Sequence, residues 1–376
     1  MKKFKKLEDY KWFCTEPFTN YMNSVGGLSK PCCHVESWTR HHDIKSLRKE
    51  FIDGGGPLID KCCTRCIKQE KSGNKSFRQN YLENFDGKFA HKKKQLEEDL
   101  DNPPLLTVEF KARDNLCNLR CNMCWTLVSS GLAKENLALG KPIHRLMNNN
   151  PHYKRKSTFP DLENILELKL VGGETLAIDD NYELLERCPP NVDIHITTNA
   201  TVTPKFNGKD IFDFIPKFKK VHMNVSIEFW GEKNNYLRFP SKWERIMANV
   251  QKFKSFDNCT VNYQSTTNAL NVGYMLEIID NADCPINLGN LVYGEDEIYS
   301  IVSVPPLIRE QYLEKYYTNY RQETDQIISY LENIEYDEEQ MEHMLKDIRD
   351  RDKYRGTCLT ELFPEWKPYY DKFYKS

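Results

Sequence analysis

Residues 105–125 read LLTVEFKARDNLCNLRCNMCW. The apolar run LLTVEF predicts a strand, and it is followed directly by Cys117, Cys121 and Cys124 at C-x3-C-x2-C. A closed tetrahedral metal site needs four ligands, and this loop supplies three. Three thiolates suit a cubane 4Fe–4S cluster, whose fourth iron then has no protein ligand and is open to the amine and carboxylate of a small molecule. Asn118, Asn122 and Met123 are small or flexible enough for the turn that wraps one face of a cluster. The competing readings are zinc with a fourth ligand from elsewhere, and buried thiols.

Outward from this loop, residues 103–300 alternate short β-rich runs with segments of helical period. The strands expected are LLTVEFKA, ILELKLV, VDIHITTN, VHMNVSIEF, TVNYQSTT and INLGNLVY, with helical segments such as NYELLERC and KWERIMANVQKF between them. This alternation predicts an α/β fold with a parallel sheet. Eight units would need about 250 residues, so six point to a partial (β/α)6 barrel open on one side. The three-cysteine loop then sits at the C-terminal end of the first barrel strand, where barrel active sites lie, and that position favours the cluster over zinc.

The chain of 376 residues is expected to divide into a cysteine-rich region (1–100), the barrel (101–304) and a helical C-terminal extension (305–376). The polar insertion at 137–160 is a candidate lid or substrate loop, and FPEWKPYY is a segment that could tuck against the barrel opening. Net charge is −2 and 39 % of residues are hydrophobic, with no run long enough to span a membrane. The basic start MKKFKKLEDYKWFC has no apolar run behind it, so a secretory signal is not expected. Nine of the thirteen cysteines fall in the first third, which argues for metal chemistry in a reducing cytoplasm over a disulfide framework. Cys188, Cys259, Cys284 and Cys358 are scattered and read as ordinary thiols.

The cysteine loop resembles the C-x3-C-x-Φ-C signature of the radical S-adenosylmethionine (SAM) superfamily, and further matches follow strand by strand. Gly172, Gly173 and Glu174 in LVGGET resemble the family's GGE motif, whose backbone and carboxylate receive the methionine ammonium. Asn199 in TTNA takes the place of a polar residue lining the SAM cleft. SIEFWGEKNNYLR resembles the SID…R pattern of members with extra clusters. The resemblance places Ser226 and Glu228 against the ribose or methionine portion and Arg238 at the SAM carboxylate. Two positions depart from the pattern: Φ is Met123, with aromatic Trp125 just beyond, and Glu228 replaces the usual aspartate.

The N-terminal cysteines resemble the auxiliary-cluster segments of the twitch and SPASM subgroups, although here they precede the barrel. Cys14, Cys32, Cys63 and Cys66 are the ligand set so implied, with Cys33 and Cys62 as possible replacements. A zinc site with the same thiols is the alternative at this region.

The resemblance implies reductive cleavage of SAM at a 4Fe–4S cluster, hydrogen abstraction from a substrate by a 5′-deoxyadenosyl radical, and a one-electron donor of flavodoxin or ferredoxin type. A peptide or other large substrate is expected, with nucleic acid or a nucleotide as the competitor. The basic patches KKFKK, HKKK, HYKRK and KFKK lie beside acidic runs and read as solvated faces. A non-catalytic protein with zinc at both cysteine sets is the third reading. No general base stands out, since His195 and the tail tyrosines are equally ordinary as core or surface residues.

Overall fold

The computed structural model describes residues 6–7, 10, 12–71, 73, 75–292 and 298–372. Most of the N-terminal basic patch, and Tyr293 at the end of the sixth expected strand, lie outside these residues.

All six expected strands form. They are β3 (Thr107–Lys111), β4 (Glu167–Val171), β5 (Asp193–Thr198), β6 (Lys220–Ser226), β7 (Cys259–Thr267) and β8 (Ile286–Leu291), and two short N-terminal strands precede them, β1 (Asn20–Asn23) and β2 (Ser29–Lys30). The sheet order is β2-β1-β3-β4-β5-β6-β7-β8, parallel throughout except for the antiparallel β1–β2 pair. Strands that neighbour one another in chain order, each crossing over through a helix, make the partial barrel expected from the alternation.

Period-two alternation sets the two faces. Leu168, Leu170, Ile194, Ile196, Val221, Met223 and Val225 are buried with the helical residues Leu184, Leu185, Ile246, Val250 and Phe253 in the main core. The alternate residues make a polar inner face, on which Glu109, Lys169, His195, His222 and Thr260 lie in register across five strands. His195 stacks on His222 with ring centroids 4.3 Å apart, and its Nε2 lies 3.6 Å from Glu167.

The cysteine-rich region has its own apolar cluster, in which Phe13, Phe18, Leu47, Phe51 and Phe85 pack together, while β1 joins it to the barrel edge. The C-terminal extension packs into the main core: Phe363 and Trp366 are fully buried, and Phe363 touches Phe229 at 5.1 Å between centroids. The FPEWKPYY segment thus does tuck against the loops that follow β6 and β7.

The 137–160 insertion is a wall and not a free lid. Met147 and Tyr153 are buried beside Val25 and Ala133, the Asn115 amide donates to the Tyr153 carbonyl at 3.0 Å, and the Arg155 amide donates to Arg113 at 2.8 Å. Backbone hydrogen bonds to the loop after β3 pin the insertion along it. No helix of the described residues is long and apolar enough to cross a membrane.

Candidate active site

The loop after β3 is laced to every element around it. The Glu174 amide donates to the Leu116 carbonyl at 2.8 Å, the Arg120 amide to Phe239 at 2.6 Å and the Asn122 amide to Leu237 at 3.0 Å. Asn199 Nδ2 donates to Asn118 Oδ1 at 3.0 Å, and Asn118 Nδ2 to Thr201 Oγ1 at 2.8 Å. Ser129 Oγ donates to the Leu119 carbonyl at 2.8 Å. Gly173 explains why this approach is possible: a Cβ there would stand 2.4 Å from the Leu116 carbonyl oxygen and 2.9 Å from that of Val128. Gly172, at φ +154°, adopts a backbone conformation that side chains disfavour.

Cys117, Cys121 and Cys124 line one cavity of about 190 Å³ together with Gly172, Gly173, Thr197, Thr198, Asn199, Ser226, Glu228, Arg238 and Thr266. The expected residues from four strand ends therefore meet around one space, with the exception of Glu174. Its carboxylate lies below the cavity wall, accepting from Thr198 Oγ1 at 2.5 Å and from the amides of Leu176 and Asn199 at 3.0 and 2.8 Å. His195 is likewise not a lining residue; it belongs to the row nearer the start of the strands.

Glu228 and Arg238 form a buried ion pair, Arg238 Nη2 to Glu228 Oε1 at 2.8 Å. Glu228 Oε2 accepts from the Thr266 amide at 2.7 Å and Ser265 Oγ at 3.2 Å, so the carboxylate is fixed by β7. Arg238 Nη1 approaches Cys121 Sγ at 3.9 Å, and its Nε is buried with no acceptor among the described residues. Burial pushes the Glu228 carboxyl up, with the Arg238 guanidinium pulling the other way. Burial also raises all three thiols, Cys124 to about 12, and Cys117 is raised further by the charges of Cys121 and Cys124.

These residues suit the implied groups in kind. Thiols buried this way carry charge only when a metal replaces the proton. The orphaned Nε of Arg238 is a donor waiting for an acceptor, which a carboxylate supplies. Among the described residues no three His, Cys, Asp or Glu side chains converge to hold a single metal ion. A cubane makes no such demand, since each thiolate meets its own iron.

Cys14, Cys32, Cys63 and Cys66 also line one cavity, with Cys62, His34, Arg78 and Tyr81, but its free volume is only about 20 Å³. Cys33 lies outside it, within 3.5 Å of the Tyr81 hydroxyl. Cys32 thus shares the cavity with the C-x2-C thiols, as does Cys62.

A second cavity, about 390 Å³, lies on the other side of Met123 and Cys124, and is lined mostly by apolar atoms with Trp125, Lys141, Pro142, Tyr299, Asp347 and Arg351. The wall contributed by helix Glu338–Arg355 is absent from the sequence reading. Arg351 and Arg355 of this helix both bind Glu135, at 2.5 and 2.6 Å, and Arg355 also holds the cysteine loop through Arg120 and Asn122. Thr266 was recoverable from its place at the end of a strand, like Asn199 and Ser226; Arg355 gave no such signal.

No family model matches the chain, and no curated protein is similar to it in sequence. Among solved structures, Streptococcus suis SuiB bound to S-adenosylmethionine is similar at 16 % identity over 78 % of this chain and 61 % of SuiB, with a TM-score of 0.36. SuiB bound to precursor peptide SuiA is similar at 18 % identity over 74 % of this chain and 59 % of SuiB, TM-score 0.33. TYW1 with a lysine-pyruvate adduct bound is similar at 11 % identity over 57 % of this chain and 72 % of TYW1, TM-score 0.31. The chain spans about three fifths of the length of SuiB.

Proposed function

We propose that the chain is a radical SAM enzyme of the twitch or SPASM kind, with Cys117, Cys121 and Cys124 holding a 4Fe–4S cluster and an auxiliary metal centre on Cys14, Cys32, Cys63 and Cys66. The observation that carries this reading is the single cavity shared by three thiols, Gly172, Gly173, Asn199, Ser226, Glu228 and Arg238. When bound, the cluster and SAM supply one-electron cleavage of the sulfonium and a 5′-deoxyadenosyl radical that abstracts hydrogen from substrate.

The chain's own part is to bind, orient and exclude water. Arg238, held rigid by Glu228, offers its free Nε to a carboxylate. Asn199 and Ser226 present polar side chains at the same rim, and Glu174 shapes the wall by fixing the ends of β4 and β5 to one another. The open barrel edge admits a large substrate, for which we take a peptide, and the electron comes from a flavodoxin- or ferredoxin-type donor in the cytoplasm.

At the auxiliary set an Fe–S cluster is the first reading. Zinc is the second, and since among the described residues these thiols do not converge on one point, either group requires them to move on loading. Anaerobic reconstitution with iron and sulfide, then dithionite and SAM, tests the whole. Formation of 5′-deoxyadenosine by cluster-loaded protein is expected, and none from fully loaded protein would overturn the enzymatic reading.

A further inference from the structure

Leu237 and Phe239, the residues on either side of Arg238, accept backbone hydrogen bonds from the amides of Asn122 and Arg120, the residues on either side of Cys121, at 3.0 and 2.6 Å. The two bonds bracket a contact between the side chains they enclose: Arg238 Nη1 points at Cys121 Sγ from 3.9 Å. The guanidinium is held in that direction from behind. Its Nη2 donates to Glu228 Oε1 at 2.8 Å, and Glu228 Oε2 accepts from the Thr266 amide at 2.7 Å and from Ser265 Oγ at 3.2 Å. Nε is the nitrogen left over, buried and without an acceptor among the described residues, so a bound carboxylate has Nε to bind and need not disturb Nη1.

A guanidinium 3.9 Å from a neutral thiol is a long contact, and it becomes a charge-assisted one when the sulfur is a thiolate. Hydrogen bonds and positive charge at the cysteine sulfurs of an iron–sulfur cluster raise its reduction potential, because they stabilise the extra negative charge of the reduced form. Glu228 binds on the Nη2 side, so the positive end of the pair is the one turned to the sulfur. The Arg238 side chain is 12 % exposed and that of Glu228 is fully buried, which leaves the field at the sulfur largely unscreened.

We infer that Arg238 raises the reduction potential of a cluster held on Cys117, Cys121 and Cys124 by donating through Nη1 to the Cys121 sulfur, a role separate from holding the SAM carboxylate; this rests on the functional reading above. Reduction takes one electron from the external donor into the cluster, and no proton moves with it, since Arg238 is charged in both states. Glu228 moderates the effect, because its carboxylate offsets part of the guanidinium charge.

The test is an EPR-monitored redox titration of the reconstituted full chain without SAM, with the signal of the Cys117/Cys121/Cys124→Ala variant subtracted to remove any auxiliary cluster. In Arg238→Gln the ratio of reduced to oxidised cluster at a fixed potential should fall on the order of tenfold, about 59 mV for a one-electron couple. Arg238→Lys should recover part of it, since one ammonium keeps the charge but cannot reach Glu228 and Cys121 together. Glu228→Gln removes the counter-charge and should shift the ratio the opposite way. Lys209→Gln, at an exposed lysine paired with Glu186, should leave it in place. A residue that only anchors SAM would leave the SAM-free potential of Arg238→Gln unchanged, and a loosened loop would move Arg238→Gln and Glu228→Gln in the same direction; either result overturns the inference. Should Arg238→Gln fail to retain iron, Glu228→Gln decides, and a potential at or below that of the wild type overturns it. Formation of 5′-deoxyadenosine by the wild type with dithionite and SAM is measured in parallel. If it forms and the potentials do not move, the tuning role alone falls; if none forms, the functional reading falls whatever the potentials do.

Discussion

Arg355 Nη2 stands 2.6 Å from the backbone carbonyl oxygen of Arg120, across 235 residues of chain. The same guanidinium binds Glu135 through Nε at 3.0 Å and Nη2 at 2.6 Å, and Asn122 through Nη1. The C-terminal helix is thereby part of the cysteine loop's support. Its side chain is 1 % exposed and that of Glu135 is fully buried, so this pair is not screened as a surface salt bridge would be.

Arg355→Ala leaves the buried Glu135 carboxylate with Arg351 and, at 3.5 Å, Arg120; breaking a buried pair costs up to about 3–5 kcal/mol, and these remaining cations keep the loss at the lower end of that range. Denaturant unfolding should show a loss of that order, and iron retained after anaerobic gel filtration should fall. Arg355→Lys should recover part of the stability but less of the iron, because one ammonium cannot serve Arg120, Asn122 and Glu135 together. Unchanged iron content in Arg355→Ala would show that the loop holds itself.

Gly173→Ala forces a methyl group to within 2.4 Å of a backbone oxygen that cannot yield without moving the cysteine loop. Loss of SAM binding by isothermal titration calorimetry is expected, with the fold retained by circular dichroism. Gly87→Ala, in helix Phe77–Lys88 with nothing near the added methyl, should instead raise stability by up to about 1 kcal/mol.

Glu228→Gln keeps the acceptor for the Thr266 amide but removes the charge that orients Arg238. SAM affinity should fall on the order of tenfold or more, while cluster content stays near that of the wild type. A variant that binds SAM normally would remove this pair from the binding site.

The Glu135 and Asp347 carboxyls bear on stability in acid. Burial pushes both up, but Arg355 and Arg351 around Glu135, and Arg351 and Lys141 around Asp347, outweigh it and hold both below their usual range. A depressed folded-state pKa means the unfolded chain binds protons more readily. The stabilisation is therefore complete above the unfolded value, about pH 4, and is lost as pH falls below it. Thermal unfolding of the metal-free chain should be nearly level from about pH 5 to 7 and drop steeply below about pH 4. In Glu135→Gln that drop should be shallower, starting from a lower stability.

Iron and sulfide counts on Cys117/Cys121/Cys124→Ala and on Cys14/Cys32/Cys63/Cys66→Ala should each lose about one cluster, or one zinc for the second set. Cys188→Ala, at a buried thiol outside both cavities, should lose none. Full iron in the first variant would place the cluster elsewhere.

Local pattern was enough for the barrel strands, and the motif resemblance for most of the residues that meet at their ends. Period-two alternation and helical spacing are properties of neighbouring residues, and in a parallel sheet of consecutive strands the loops after each strand share one rim. Asn199, Ser226 and Glu228 were placed near Cys117 by the motifs they share with the radical SAM pattern, and the shared rim is the physical reason such motifs meet. β1, with the polar sequence NYMN, carries no such pattern; it is a strand because the edge of β3 offers it unpaired backbone groups. Arg355 sits in the charged run RDRDKYR, which by itself reads as a solvated helix face. Only packing against helix Ser130–Ala138 buries it and turns it toward the loop.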